Sequence, residues 1–563
     1  MCGAQQLHWL KGKNLGNNLA HQVIDNCAAA DSESYYLAGY TWQTQLLSGA
    51  VIANGPTNGF VIKLNEHGDT LWTWTTTSNA TASGDGTYIR AICNSPNNTV
   101  TVGGYYSIFS GTSTIAGQTV SGSGAFIVRL SSVGQVQMVK TYSGVKIYDL
   151  DADVQGNYYF AGNSQTMVVF GNDTLSAPGG GNWVDYLGSS KSNGDPKWIK
   201  QLGFINFNNT TAGNEAGQHR LTVCNTNPPY IITAGFFVGT YAFANQNLSS
   251  NGSDDALLIK FDTSGNYKSH YTFGGTNTES FHDIRSNKNG RFVVGGTYKG
   301  STTINSVNYS TGGVFYQSFL IQFDTALTIK YQDTCGLSGW FPKVAIDEYN
   351  RSALAVFVGN NWRFLWVLND TGARIFTKTL SYTSGTTSFA SMNPLGLAFS
   401  KKSDNTLYFG AVFKPDATVD TFNINSTQSH NFDIAAGKFS IPPMCNANLG
   451  PDTGYCGSFQ RTLTTGLMQP LDSILWSTGD TSQSIQVNQP GTYWVYTKLG
   501  SCQHMDSVVI TQNNSLPSFD ELNDTILCNP NGFNLQVPQN NALGFRWSNN
   551  SISPTVYVPY NRT

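Results

Sequence analysis

The chain has 563 residues and a formal net charge of −3, and only 12% of its residues are charged, against about 25% in a typical soluble protein. Its 31 basic and 34 acidic residues are spread without blocks, so the sequence has neither the basic stripe that a nucleic acid backbone requires nor an apolar run of about 18 residues for a membrane-spanning helix. Abundant glycine and aromatic residues are typical of short strands joined by tight turns, and the length predicts several domains.

The first few residues bear on the location of the protein. Ala4-Gln5 resembles the end of a signal-peptide cleavage site, although no apolar export segment precedes it. We therefore predict that residues 1–4 are a signal-peptide remnant and that the protein is secreted. A lipid-bearing Cys2 and an ordinary cytoplasmic start are the alternatives.

One short strand, with small residues near its end, recurs about every 60 residues. Such a period is typical of architectures in which each repeat forms one small sheet. The copies are Tyr36–Tyr40, Thr101–Tyr105, Tyr159–Asn163, Ile232–Phe236, Val293–Thr297 and two degenerate ones, Leu354–Phe357 and Phe409–Val412. Seven copies therefore predict seven blades.

A hairpin follows most copies, in which two strands flank a turn with Gly or Asn. The third copy is eroded, around Trp183 to Trp198, and in the seventh Pro442-Pro443 replaces the returning strand. Residues 7–12 resemble a returning strand that has no hairpin before it. We predict that they complete the last blade and close a ring, which leaves few exposed sheet edges.

The order of these elements, a glycine-rich strand, then Phe-Ile-x-Lys-x-Asp-x-x-Gly, then a Trp strand, resembles the seven-bladed β-propeller repeat family (SBBP-type) of secreted bacterial proteins. Asp262–Gly265 and Asn369–Gly372 match the turn of this repeat, whereas Asp324–Leu327 lacks its glycine. The resemblance implies an all-β fold with a closed seven-bladed β-propeller over residues 5–440. It indicates no ligand.

Ile441-Pro442-Pro443 marks a domain boundary, because prolines cannot continue a strand ladder. Residues 445–513 then show alternating strands, the central Trp476 and flanking cysteines, which are typical of an immunoglobulin-like β-sandwich. From this pattern we predict a disulfide between Cys456 and Cys502. Residues 520–563 begin a second, incomplete module in which Cys528 has no partner, so we expect the natural polypeptide to continue beyond Thr563.

The strings at residues 476–480 (Trp-Ser-Thr-Gly-Asp) and 490–495 (Pro-Gly-Thr-Tyr-Trp-Val) resemble the repeats before the sorting domain of gliding-motility-associated surface proteins of the Bacteroidetes, which the type IX route exports. The resemblance implies an extracellular, cell-surface location and the type IX export machinery as a partner. The sorting domain itself is not part of this sequence.

The remaining cysteines and one acidic run receive structural interpretations. We interpret Cys27, Cys93 and Cys224, near the ends of the first strands of their blades, as buried free thiols, because equivalent positions on separate blades are too far apart to bridge. Cys335 is unassigned, and Cys445 pairs either with it or with nothing. The run Asp149–Asp153 superficially resembles a calcium loop but lacks the terminal Glu, so we assign no metal and no cofactor.

Catalytic motifs are missing from the sequence. Glutamate is scarce, no pair of carboxylates stands out from the turn aspartates, and no Gly-x-Ser-x-Gly or His-Glu-x-x-His motif is present. We therefore predict that the protein is not an enzyme.

Asp followed by Thr or Ser and then an apolar residue resembles the O-glycosylation signal of exported Bacteroidetes proteins, although Asp-Thr is also ordinary turn chemistry. The candidate sites are Thr70, Thr174, Thr325, Ser473, Ser507 and Thr525.

These observations favour a secreted cell-surface adhesin or structural protein. The propeller would be the binding or packing head and the immunoglobulin-like modules a stalk, with surface glycans, proteins or other copies of the chain as partners. The alternatives are a subunit of an extracellular polymer or appendage and an extracellular carbohydrate-active enzyme. The ligand, the binding face and the oligomeric state are not encoded in any motif of the sequence.

Overall fold

The structure is a computed structural model that describes most of the chain. The described residues are 7–13, 21–30, 34–42, 46–47, 50–51, 57–82, 84–176, 183–205, 220–312, 315–358, 362–381, 393–401, 405–413, 417–419, 422–424, 433–441, 445, 447–467, 471–499, 502–513, 533–536, 546–547, 552–553 and 555–558.

All regular elements in these residues are β-strands, which confirms the all-β prediction. No helix within the described ranges is long and apolar enough to cross a membrane. The chain divides into two compact units, Met1–Pro442 and Pro443–Thr563.

Most strands of the first unit form antiparallel meanders of four strands, which we label A to G in chain order. After β1 (Leu7–Lys13), meander A consists of β2 (His21–Ala28), β3 (Tyr35–Trp42), the small hairpin β4 (Leu46–Leu47) and β5 (Ala50–Val51), β6 (Thr57–Leu64) and β7 (Thr70–Thr75). Meander B follows β8 (Thr77–Ser78) and consists of β9 (Gly86–Ser95), β10 (Thr99–Ile115), β11 (Gln118–Leu130) and β12 (Val136–Ser143).

The middle of the unit continues the same pattern. Meander C consists of β13 (Asp149–Ala152), β14 (Tyr158–Ser164), the hairpin β15 (Val168–Phe170) and β16 (Asp173–Leu175), β17 (Trp183–Ser190) and β18 (Pro196–Ile205). The eroded third copy of the repeat is therefore a complete hairpin, β17–β18. Meander D consists of β19 (Arg220–Cys224), β20 (Tyr230–Phe243), β21 (Gln246–Asp262) and β22 (Tyr267–Phe273).

The last meanders share a strand. Meander E consists of β23 (Thr278–Ser286), β24 (Phe292–Lys299), the hairpin β25 (Ser301–Ile304) and β26 (Val307–Ser310), β27 (Gln317–Phe323) and β28 (Ile329–Ile346). The second half of β28 begins meander F, which continues with β29 (Ser352–Val358), β30 (Trp362–Leu368) and β31 (Arg374–Ser381). Meander G consists of β32 (Asn393–Phe399), β33 (Thr406–Phe413), the hairpin β34 (Ala417–Val419) and β35 (Phe422–Ile424), and β36 (Asp433–Ser440).

The two ends of the unit are in contact. β1 is antiparallel to β36, with Leu7 opposite Phe439 and Lys13 opposite Ile434. Tyr35 of meander A stacks on Tyr408 of meander G with ring centroids 4.6 Å apart. Meander A thus shares buried apolar side chains with meander G as well as with meander B.

The small residues of the recurring strand are required by close backbone packing. A Cβ atom added to Gly104 would lie 1.9 Å from the carbonyl oxygen of Tyr88, and one added to Gly162 would lie 2.0 Å from that of Lys146. Opposite Gly104, the first strand β9 contains a bulge that brings its backbone forward. Glycine is therefore required at Gly104 and Gly162 because no side chain fits at these two positions.

The turn between the third and fourth strands explains the Asp-x-x-Gly pattern. Asp262 accepts backbone N–H groups from the residues two and four positions later, and Gly265 has a φ of 79°. At the turn that lacks glycine, Asp324 makes the same two bonds and Leu327 adopts a φ of 62° while its side chain is buried. Burial therefore offsets the cost of this left-handed conformation at Leu327.

The second unit contains two sheets around the buried Trp476. Its strands are β37 (Thr453–Cys456), β38 (Arg461–Thr464), β39 (Ser473–Trp476), β40 (Ser484–Val487), β41 (Gly491–Leu499), β42 (Cys502–Asn513), β43 (Phe533–Gln536) and β44 (Thr555–Val558). Leu463 and Ile485 of the β38–β40 pair contact the same core as Val495 and Val508 of the sheet β37-β42-β41-β39.

The predicted disulfide between Cys456 and Cys502 is wrong, because Cys502 is bonded to Cys445, with Cα atoms 5.9 Å apart. The reason lies in the register of β37 and β42. Cys456 lies opposite Asn513, at the far end of the strand that Cys502 begins. At about 3.3 Å per residue, these two positions are roughly 35 Å apart along β42, far beyond the reach of a disulfide.

Candidate functional site

A cavity of about 490 Å³ lies where the first strands of the meanders meet. Residues of β2, β9, β13, β19, β23, β28 and β32 all line it, so every meander contributes its first strand. The lining residues belong to the C-terminal parts of these strands and to the turns that follow them. Polar groups from different meanders converge in this cavity, as in ligand sites generally.

Arg285, in β23, lines the cavity and connects distant parts of the chain. Its Nη2 atom is 2.5 Å from Oδ1 of Asp25, in β2, and its Nη1 atom is 3.1 Å from Oδ1 of Asp283. The Arg285 side chain is 25% exposed, whereas those of Asp25 and Asp283 are 7% and 2% exposed. A single guanidinium thus pairs with two buried carboxylates.

Aspartates on the first strands also bond to the backbone of the next meander. Asp149 of β13 accepts the N–H of Leu221 at 2.9 Å, and Asp151 accepts that of Val223 at 2.8 Å. Asp283 of β23 accepts the N–H of Val344, in β28, at 2.9 Å. Because these bonds join neighbouring first strands, they hold the walls of the cavity in place, and bonds to charged acceptors are the stronger ones.

Burial and neighbouring cations set the charge of this cluster. Burial raises the pKa of Asp149 to about 6, against the opposing effect of Arg220 and Arg285. Burial also acts to raise the pKa of Asp283, but the charges of Arg285 and Lys343 outweigh it and hold that pKa below its ordinary value. Burial lowers the pKa of Lys343. The charges of these groups compensate one another. Such clusters occur both where they stabilise a fold and where they bind a ligand.

The free thiols adjoin the same cavity. Cys93 and Cys224 are buried and unbridged, which confirms the interpretation made for them, whereas Cys27 is half-buried. Cys27 and Cys93 line the cavity. Burial raises the pKa of all three thiols, that of Cys224 to about 12. Since the thiolate is the nucleophile, the raised pKa values disfavour reaction of these thiols at neutral pH.

The acidic run at residues 149–153 is used for structure. Asp149 and Asp151 bond to β19 as described, and Asp153 accepts the N–H groups of Gln155 and Asn157 in a turn. Within the described residues, no three His, Cys, Asp or Glu side chains are arranged to hold a metal ion.

The turns at the rim of the cavity are bonded to one another. Asn287 donates from Nδ2 to the carbonyl of Asp347 at 2.8 Å, and the N–H of Lys288 donates to the carboxylate of Glu348 at 2.9 Å. Lys401 lies 3.5 Å from Glu348. The rim is therefore a connected polar surface.

The candidate glycosylation sites of the first unit, Thr70, Thr174 and Thr325, do not line the cavity. Four of the candidate sites in the whole chain, Thr174, Thr325, Ser473 and Ser507, are exposed, and Thr70 is half-buried. Thr525 lies outside the described residues. Their modification stays a prediction. Sequence reasoning did not identify the charged cluster around Arg285, although charged residues in otherwise apolar first strands were a usable signal.

Extra hairpins extend the connections between second and third strands. Their two-residue tips have positive φ angles, as at Ala244 and Asn245 (43° and 64°) and at Asn305 and Ser306 (48° and 64°), which is the geometry of tight hairpin turns. In the same connection of meander B, Phe109 is 86% exposed. These hairpins therefore place different side chains on the connections between second and third strands of different meanders, and binding residues often lie on such loops.

No protein-family model and no curated protein matches the chain. Solved structures give weak likenesses: the propeller of Dos1 at 12% identity and a TM-score of 0.35 (77% of this chain, 95% of that one), and a protein of unknown function from Dyadobacter fermentans at 11% and 0.36 (78% and 99%). Sqt1 of Saccharomyces cerevisiae follows at 11% and 0.33 (77% and 100%). With TM-scores under 0.5, these likenesses have no bearing on function.

Proposed function

We propose that the protein is an extracellular cell-surface binding protein. Its first unit would be a closed seven-bladed propeller that acts as the binding head, and its second unit would begin a stalk of immunoglobulin-like modules. The observation that carries this proposal is the cavity to which the first strand of every meander contributes. The β1–β36 pairing and the stacking of Tyr35 on Tyr408 support closure of the ring.

Binding is favoured over catalysis by the state of the charged groups. Arg285 is paired with two carboxylates, and Asp149 and Asp151 already accept backbone N–H groups. The disulfide between Cys445 and Cys502 supports an oxidising compartment, because such bonds are rare in reducing ones. The resemblance of the second unit to exported surface proteins agrees with type IX export.

The test uses the whole chain. Labelled protein is added to source cells that lack it, and intact producing cells are treated with a protease that does not enter them. We expect saturable binding to the cells and cleavage of the protein on the producers. Protection of the protein in intact cells, together with no binding, would refute the proposal.

A second candidate function, subunit of an extracellular polymer, is favoured by exposed apolar side chains. Phe109, Met167, Val169, Val307 and Phe315 are between 46% and 86% exposed, and exposed apolar surface of this kind often mediates association. Sedimentation velocity at increasing protein concentration tests it. Concentration-dependent assemblies would favour the polymer, and a monomer throughout would remove it.

A further inference from the structure

Aromatic rings, most of them half-exposed, form a continuous path across three meanders, near the starts of their first strands and thus away from the cavity. Tyr40 of β3 contacts Tyr88 of β9 with centroids 5.0 Å apart, Tyr88 stacks on Tyr105 of β10 at 4.9 Å, and Tyr105 contacts Tyr148, just before β13, at 5.7 Å. We call these four tyrosines, together with Trp183, the aromatic strip.

Apart from Tyr40, which is buried, the rings of the strip are more exposed than the core tyrosines. Tyr88, Tyr105, Tyr148 and Trp183 are half-exposed, whereas the core residues Tyr35, Tyr158 and Tyr186 are fully buried. If these rings served only to stabilise the fold, full burial would contribute more free energy than their partial exposure does. Tyrosine also combines a flat apolar body with a hydroxyl that bonds to polar ligands, and it loses little conformational entropy on binding.

Two cations lie on the strip. Lys146 Nζ is 5.4 Å from the ring centre of Tyr105 and 5.8 Å from that of Trp183, and the Arg90 guanidinium is 5.5 Å from the ring centre of Tyr148. The backbone of Lys146 is fixed by Tyr186, whose hydroxyl accepts its N–H at 2.7 Å. The nearby carboxylate of Asp85 accepts the backbone N–H groups of Phe109 and Ser110.

We propose that the aromatic strip binds an acidic polysaccharide, with the partly exposed Lys146 pairing with its carboxylate or sulfate groups and the half-exposed rings contacting its sugar rings. Arg90 is only 9% exposed and supports the ring of Tyr148 from within. The inference deepens, and rests on, the proposed binding function by naming its ligand class. Charge-assisted bonds to a carboxylate provide strength, and the aromatic edges and hydroxyls suit a ligand that alternates apolar C–H surfaces with hydroxyl groups.

Single-stranded nucleic acid also binds aromatic rings flanked by cations, but it needs a groove of positive charge along its backbone. The chain has a net charge of −3, and only Arg90 and Lys146 stack on the strip among the described residues. An acidic glycan can use the hydroxyl groups and C–H faces of its sugar rings for most of its contacts, so one exposed cation among several aromatic rings suits it better.

The experiment measures binding of the full chain to immobilised polygalacturonate, with neutral dextran and oligo(dT) as comparison ligands. The variants Lys146→Met and Tyr105→Leu test the strip. Lys299→Met, which removes a cation stacked on Tyr316 at 5.5 Å, and Tyr271→Leu, a half-buried tyrosine in β22, are the matched controls. Circular dichroism checks that each variant is folded.

We expect the wild type and both controls to bind polygalacturonate and both strip variants to bind about tenfold more weakly. Added salt should weaken wild-type binding more than binding by Lys146→Met, because one ion pair is missing from the variant. Equal binding to dextran, tighter binding to oligo(dT), or equal losses in the control variants would overturn the proposal. Binding of the protein to source cells without any binding to polygalacturonate would overturn the strip proposal alone and leave the proposed function standing.

Discussion

The Arg285→Met substitution tests whether the charged cluster holds the first unit together. Arg285 pairs with Asp25 and Asp283, which are 7% and 2% exposed, and methionine keeps the apolar stem of the side chain while removing its charge. Removing one partner of a buried ion pair costs about 3–5 kcal/mol, because the other charge stays buried without compensation. Since Arg285 itself is 25% exposed, we expect the lower end, about 3 kcal/mol.

The loss should depend on pH. Without Arg285, burial dominates at Asp283, whose pKa is now held low by Arg285 and Lys343, so its folded-state pKa rises. A carboxyl group with a raised folded-state pKa stabilises the fold at low pH and loses that contribution as pH rises through the raised value. The variant should therefore be destabilised more at pH 8 than at pH 5.

Urea titration at both pH values, followed by tryptophan fluorescence with the two units fitted as separate transitions, measures the change. Arg374→Met is the matched control, because Arg374 forms an exposed ion pair with Asp333, with the two side chains 43% and 19% exposed. Exposed pairs contribute about 0–1 kcal/mol. The reasoning is refuted if Arg285→Met costs no more than Arg374→Met or if its cost is the same at both pH values.

Three further predictions concern stability. Burial, with Asp255 and Asp254 nearby, raises the pKa of Glu279 to about 7, so its stabilising contribution is complete below about pH 4.5 and is lost as pH rises through 7. In urea titrations, Glu279→Gln should be about 3 kcal/mol more stable than the wild type at pH 8 and within about 1 kcal/mol of it at pH 5. Gly104→Ala should lower the free energy of unfolding by about 3 kcal/mol or more in thermal unfolding, because its Cβ would meet the Tyr88 carbonyl oxygen. The control Gly122→Ala should lower it by only about 1 kcal/mol, because Gly122 has a φ of 73° but no atom within 4 Å of the added Cβ. Cys445→Ser should lower the free energy of unfolding of the second unit by about 4 kcal/mol, whereas Cys456→Ser should leave it almost unchanged. A disulfide-linked peptide that joins Cys456 to Cys502 in non-reducing mass spectrometry would contradict this pairing.

Local features of the fold could be predicted from the sequence, because they depend on residues close together in the chain. The Asp262–Gly265 turn is an example, since its aspartate bonds to residues two and four positions later and its glycine has a positive φ. The recurring small residues indicated a repeated strand. The reason is steric, because a Cβ atom at Gly104 would overlap the backbone of the neighbouring strand at Tyr88.

Contacts between distant residues were decided only by the tertiary structure. Asp25 and Arg285 are 260 positions apart, and neither belongs to a motif, so nothing in the chain pairs them before the meanders are assembled. The partner of Cys502 depends on the register of β37 against β42, which places Cys456 opposite Asn513 instead. The aromatic strip likewise joins tyrosines of three meanders. The sequence by itself therefore determined strands and turns, whose energetics are local, whereas the cavity, the disulfide and the strip follow from packing between elements far apart in the chain.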